Sequence, residues 1–145
     1  MAKPTTEKMK EAFAPYLPAG EQVTHVAYGV KQPHILLIVL LMLLGVLPGL
    51  IAVMIMTRHY LIGQSASGIT VLQVKGMNNL GVKTVMHFSN VELAAADVKT
   101  SSNGLFTNIK IIDGERQFVA KFHKLYSKDN RPHAEAIAAY AGAAA

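Results

Sequence analysis

Residues 35–56 read ILLIVLLMLLGVLPGLIAVMIM, 22 residues without a charged, amide or hydroxyl side chain. Few environments suit such a run. About 20 apolar residues, rising ~1.5 Å each, cross the hydrocarbon of a bilayer as one helix. The centre of the run, Gly45-Val46-Leu47-Pro48-Gly49, is turn chemistry instead. The run is therefore either one spanning helix or two short helices that enter and return. What flanks it decides between them.

Of the 145 residues, roughly 120 lie outside the run, enough to bury a core without staples. The absence of cysteine excludes disulfides and thiolate metal sites. A formal charge of +5 favours anionic partners such as phospholipid headgroups, nucleic acid or an acidic protein face. The amino terminus mixes both signs and has no apolar core of its own, so a cleaved signal peptide is not expected and the run stays in the mature chain.

Along the chain, residues 5–14 predict a short amphipathic helix. Thr5 or Thr6 is its N-cap, Met9 and Phe13 share one face, and Pro15 ends it. Pro18, Gly20 and Glu21 form a turn. Residues 22–30 predict a strand with Val26, Tyr28 and Val30 on one face, and Gly29 suggests a bulge. After the run, strands are predicted at 58–64, 69–75 and 82–88, with residues 76–81 as a loop. Alanines leave 91–98 open between strand and helix. Asn103-Gly104 and Asp113-Gly114 are turn signals framing strands at 105–112 and 116–123, the latter with Phe118, Ala120 and Phe122 on one face. A helix starts at Asn130, read as its N-cap, with Ala134, Ile137, Ala138 and Ala141 forming a stripe.

About seven hairpin-linked strands closed by one helix resemble a bacterial pleckstrin-homology (PH)-like domain of the membrane-associated kind. The resemblance is carried by Gly20-Glu21-Gln22-Val23 before the first strand, by Thr57-Arg58-His59-Tyr60-Leu61-Ile62-Gly63 after the apolar run, and by Phe118-Val119-Ala120-Lys121-Phe122 before the last helix. The turn Gln64-Ser65-Ala66-Ser67 departs from the charged turn of many such domains, and no role of that turn carries over. The resemblance implies a mainly β fold: a PH-like barrel of about seven antiparallel strands with a C-terminal capping helix, plus an apolar helical hairpin inserted between the first two strands. The expected parts are an N-terminal short helix and linker (1–19), the PH-like domain (20–141) with the apolar hairpin (35–56) inside it, and a tail (142–145).

If residues 22–30 and 58–64 share a sheet, both ends of the run lie on one side of the membrane. A spanning helix would hold them ~30 Å apart. A re-entrant hairpin is thus preferred over a spanning helix, and over a buried soluble hairpin, because the run has no polar face. Each arm would be ~15 Å long and would enter one leaflet. Backbone groups freed at its tip cost several kcal/mol each in hydrocarbon, so a covering partner is expected. Ile35, Leu36, Leu37, Leu40, Leu44, Leu47, Pro48, Leu50, Val53 and Ile55 are the expected inserting residues. Lys31, His34, Arg58 and His59 flank them at headgroup or interface depth.

No chemistry of an enzyme is evident. The six histidines (25, 34, 59, 87, 123 and 133) lack metal-ligand spacing, no carboxylate pair is placed for acid–base work, and no phosphate loop or nucleophile elbow occurs. No cofactor is expected, and the dispersed lysines carry no aromatic-basic motif for nucleic acid. The expected function is a non-catalytic accessory or scaffold subunit of a bacterial membrane protein complex, on the cytoplasmic face of the inner membrane. Its partners would be membrane lipids and an integral-membrane protein or a second copy. The alternative is a self-contained adaptor that binds anionic phospholipid.

Overall fold

Seven alternating stretches of the chain form one antiparallel sheet, in the order β4-β3-β2-β1-β7-β6-β5. The computed structural model describes residues 3–32 and 34–144. Met1 and Ala2 of the amino-terminal segment, Pro33 ahead of the apolar run and Ala145 of the tail lie outside the described residues. The strands are β1 (His25–Lys31), β2 (Arg58–Ser65), β3 (Gly68–Gly76), β4 (Asn79–Ser89), β5 (Asp97–Ser102), β6 (Phe106–Asp113) and β7 (Arg116–His123). The helices are α1 (Thr6–Phe13), α2 (Ile35–Leu43), α3 (Val46–Met56), α4 (Asn90–Ala95) and α5 (Asn130–Ala144).

Period-two alternation sends each strand's side chains to two faces. One face contributes Ala27, Ile62, Val71, Phe88, Ile111 and Phe122, among others, to a single core. Since all these residues meet in one cluster, the sheet must curl around it, which gives a barrel-like form. The stripe Ala134, Ile137, Ala138 and Ala141 lays α5 onto this core, and Leu93 adds α4. Burying each large side chain here contributes about 1.5–3 kcal/mol.

The other face of β1 to β3 is covered by the amino-terminal helix. Thr5 caps α1 by accepting a hydrogen bond from Lys8 N–H at 3.2 Å, and Met9 and Phe13 are fully buried against Val26, Tyr28, Leu61 and Leu72. The Phe13 ring sits on Gly63, where a Cβ would lie 2.9 Å from it. The strand β1 is thus buried on both faces.

Three local expectations are corrected, and one left open is resolved. Gly29 makes no bulge: it pairs in register with Tyr60, and its missing Cβ makes room for the Phe122 ring, which a Cβ would meet at 2.4 Å. The irregularity lies between β3 and β4, where Gln73 pairs with Thr84 but Val74 pairs with Val82. The extra residue, Lys83, swings Val82 onto the α1 side while Met86 and Phe88 face the main core. Residues 76–81 are mostly strand, because β3 and β4 continue to a tight hairpin at Gly76 and Asn79. Residues 91–98 are neither all strand nor all helix. Ser89 and Glu92 form a capping box that starts α4, and β5 follows at Asp97.

The third correction concerns Asn130. It is fully buried at the first residue of α5, following Asp129 in the left-handed region (φ 58°). Its side chain does not cap the helix. It accepts from Tyr28 N–H (2.7 Å) and Ser127 Oγ–H (3.0 Å), and donates to the carbonyls of Tyr28 (3.0 Å) and His123 (2.8 Å).

The far end of the sheet is tied by Arg116, which donates to the His87 carbonyl at 2.8 Å and pairs with Glu92 and Asp113. Salt-bridge and hydrogen-bond contacts hold the Arg116 guanidinium above its ordinary pKa, with Asp113 the largest contributor.

Candidate functional site

The apolar run leaves the sheet between β1 and β2 as α2 and α3. It is not one continuous helix: Leu44 ends α2, and Gly45 turns the chain with φ 134°, a region only glycine occupies readily. Among the described residues, no helix is long and apolar enough to cross a membrane. The two helices pack on each other where Gly49 is buried. A Cβ there would stand 2.8 Å from the Leu41 carbonyl oxygen and 3.0 Å from Met42 Cα.

The turn satisfies much of its own backbone. Leu44 N–H donates to Leu41 C=O at 3.2 Å, Gly45 N–H to Met42 C=O at 3.1 Å, and Gly49 N–H to Gly45 C=O at 2.9 Å. Pro48 has no N–H to satisfy. Val46 and Leu47 are then the amides of the first turn of α3 without an intrahelical acceptor. At the other end Thr57 donates both its N–H (2.9 Å) and its hydroxyl (2.7 Å) to the Val53 carbonyl.

Of the residues expected to insert, Ile35, Leu36, Leu40, Leu44, Leu47, Pro48, Leu50 and Ile55 are exposed, while Leu37 and Val53 are half-buried. Leu44 and Ile55 expose 77% and 78% of their surface. Val39, Leu43, Val46, Ile51, Met54 and Met56 extend the same surface.

The four flanking residues part company. Lys31 and Arg58 are exposed and are direct register partners across β1 and β2, so two like charges stand side by side at the root of the insertion. Like charges in that position are mutually destabilising until an anion or solvent screens them. His34 turns back to its own helix, where its Nδ1 accepts from Leu36 N–H at 3.2 Å and caps α2. His59 is half-buried, with Nδ1 2.7 Å from the Tyr28 hydroxyl. Burial raises the Tyr28 pKa strongly, so its O–H is the donor. Burial, with Lys83 nearby, lowers that of His59, which accepts as neutral imidazole.

The other histidines are likewise engaged: His25 and His133 meet Nδ1 to Nδ1 at 3.2 Å, His87 meets the Thr70 hydroxyl at 2.8 Å, and His123 accepts from Leu125 N–H at 3.0 Å. Among the described residues no three His, Cys, Asp or Glu side chains gather to hold a metal ion.

Beside the root of the insertion lies a cleft of ≈ 440 Å³. Among the described residues β1 and β7 pair only at Val30 and Lys121. The wedge is walled by Val30, Ile35, Ile38, Phe106, Val119 and Tyr126, with Lys31, His34 and Lys121 also lining it. Reading the sequence missed Lys121, Phe106, Val119 and Tyr126 as neighbours of Lys31. Only strand pairing between distant segments brings them together, and no local pattern marks it.

No family model matches the chain, and no curated protein or solved structure is detectably similar to it.

Proposed function

We propose that the chain is a membrane-attached, non-catalytic PH-like domain, with α2 and α3 entering one leaflet as a re-entrant hairpin. The β-domain then sits on the cytoplasmic face of a bacterial inner membrane as an accessory or scaffold subunit of a membrane protein complex. The observation that carries this reading is the surface of α2 and α3, where many large aliphatic side chains project outward and Gly49 is the buried point at which one helix packs on the other. Water is a poor solvent for such a surface, and hydrocarbon is a good one. At 9 and 11 residues the helices are ~14 and ~16 Å long, about half the ~30 Å of a bilayer's hydrocarbon. Both ends emerge at adjacent strand positions, Lys31 and Arg58, which keeps β1 and β2 on one side. The open amides of Val46 and Leu47 at the tip favour a protein partner that supplies acceptors there.

A second reading, a self-contained adaptor for anionic phospholipid, draws support from the cationic root and its adjoining cleft.

Flotation of the full chain with phospholipid vesicles tests attachment. The chain should float, and the double variant Leu44→Lys/Leu47→Lys should stay at the bottom. A native chain that stays with the soluble fraction, or a double variant that floats equally well, overturns the reading. Extraction from native membranes in mild detergent separates the two forms. A stoichiometric partner marks the accessory subunit, and a chain recovered alone or as a homo-oligomer marks the adaptor.

A further inference from the structure

We propose that β5 is a docking edge for a second copy of the chain. The two β5 strands run antiparallel across a twofold axis at Val98, and the sheets of both copies join into one. The proposal uses the β-domain alone and stands whether or not α2 and α3 enter a leaflet.

The strand β5 ends the sheet and pairs with β6 in unbroken register, from Asp97 with Ile112 to Ser102 with Thr107. Two hydrogen bonds show which of its backbone groups are in use. Asn103 N–H donates to the Phe106 carbonyl at 2.9 Å, and Lys124 N–H, from the β7 side, donates to the Leu105 carbonyl at 3.0 Å. Bonded pairs alternate along an antiparallel ladder, so Asp97, Lys99 and Ser101 bond to β6. Val98, Thr100 and Ser102 then direct their N–H and C=O groups outward, where no strand of the described residues meets them. The opposite edge of the sheet is guarded. There β4 is bulged at Lys83, and its His87 carbonyl accepts from Arg116. β5 has neither device.

Charge selects the occupant and the register. Asp97 and Lys99 are exposed, share one face of the strand, and form no ion pair among the described residues. Lys99 is the register partner of Lys110 on β6, so an acidic group is favoured on its free side. A twofold axis at Val98 sets Asp97 of each copy opposite Lys99 of the other, making two ion pairs at once. An axis at Lys99 would set two lysines face to face, and one at Thr100 would leave both charges opposite neutral residues. A lysine on an edge strand ordinarily deters pairing. Here Asp97 turns that deterrent into a register device.

The same alignment joins a second pair of features. It sets Ala95 of the second copy, the last residue of its α4, opposite Ser101. On α4, Val91, Ala94 and Ala95 form an exposed apolar stripe, with Val91 exposing 81% of its surface. Ser101 lines an open groove of ≈ 340 Å³ between β5 and α5, with Ala138 and Ala139 on its helical side. The stripe of one copy thus meets the groove of the other, twice by symmetry. An isologous contact of this kind closes at two copies.

Sedimentation equilibrium of the full chain in density-matched neutral detergent provides the test. The native chain should be a dimer. Asp97→Lys and Lys99→Asp should each weaken the dimer at least about tenfold, because each turns both ion pairs into like-charge pairs. The double variant Asp97→Lys/Lys99→Asp should dimerise as the native chain does. An equimolar mixture of the two single variants should form a one-to-one pair, since the charges of each copy then complement those of the other. A monomeric native chain overturns the proposal. A dimer that both single variants leave intact is held by another surface, such as the apolar helices, and overturns it too. So does a double variant or a mixture that stays monomeric.

Discussion

The Asn130 side chain treats Tyr28 as a neighbouring strand would, accepting from its N–H at 2.7 Å and donating to its C=O at 3.0 Å. One amide thereby ties the start of α5 to the middle of β1, and through His123 to the end of β7. It stands in for the ladder where, among the described residues, β1 and β7 pair at Val30 and Lys121 alone.

Asn130→Ala should therefore cost about 3 kcal/mol or more, because buried groups of Tyr28 and His123 each lose a partner at about 1–3 kcal/mol. Asn130→Asp keeps the acceptor but turns both donors into a carboxylate oxygen facing carbonyls, and should be no milder. Urea unfolding of the full chain measures both. A loss below about 1 kcal/mol for Asn130→Ala would mean that water replaces the amide without difficulty.

Gly29→Ala should destabilise by about 1–3 kcal/mol, as overpacking does in a filled core. The new Cβ meets Phe122 Cε2 at 2.4 Å. Adding Phe122→Leu to Gly29→Ala should recover part of that loss, in a double-mutant cycle read by thermal unfolding. Strict additivity of the two substitutions would show that the ring and the glycine are not coupled.

Gly49→Ala should act on the insertion and not on the sheet. Its Cβ would press on the Leu41 carbonyl at 2.8 Å, forcing α2 and α3 apart. Hydrogen exchange should quicken across residues 35–56 and stay unchanged in β2 and β3. Equal protection in both helices before and after the substitution would remove Gly49 as the packing point.

Stability should fall as the medium is acidified from pH 7 to pH 5. Burial lowers the pKa of His133, with the charges of His25 and Lys10 adding to this and Asp129 opposing it, and burial also lowers that of His59. The fold thus favours neutral imidazole, and the unfolded chain binds more protons once the pH drops below the ordinary histidine value of about 6.5. The contribution is complete above that value, shrinks on acidification, and is lost once the pH has passed below the folded-state pKa. His133→Gln should flatten the dependence of the urea midpoint on pH. A profile as steep as that of the parent would assign the slope elsewhere.

Most of the strands and both ends of the β-domain are legible in the sequence, because alternation such as Phe118, Ala120 and Phe122 records which face is buried. The stripe of α5 and the face of α1 are legible for the same reason. What resists reading is set by contacts between distant segments. Lys83 looks like any strand residue, and only the pairing of Val74 with Val82 reveals it as the extra one. Asn130 has the local signature of a cap, and its use as a partner for Tyr28 depends on a strand about a hundred residues away. Ser89 and Glu92 did carry a signal at the spacing of a capping box, which the surrounding alanines obscured. The cleft is the extreme case, since Lys31 and Lys121 become neighbours only through β1 and β7.

The pairing of Lys31 with Arg58 makes the insertion a detachable module. Its two ends sit where an ordinary β-hairpin turn would begin and finish, so the sheet needs nothing from the residues between except that they return. Closing a long loop costs only slightly more than closing a short one, growing with the logarithm of its length. A two-residue turn such as Asn-Gly could replace the whole excursion, and a different segment could be spliced at the same joint. The β-domain is in this sense a socket, and what is carried at that joint can change without redesign of the body that carries it.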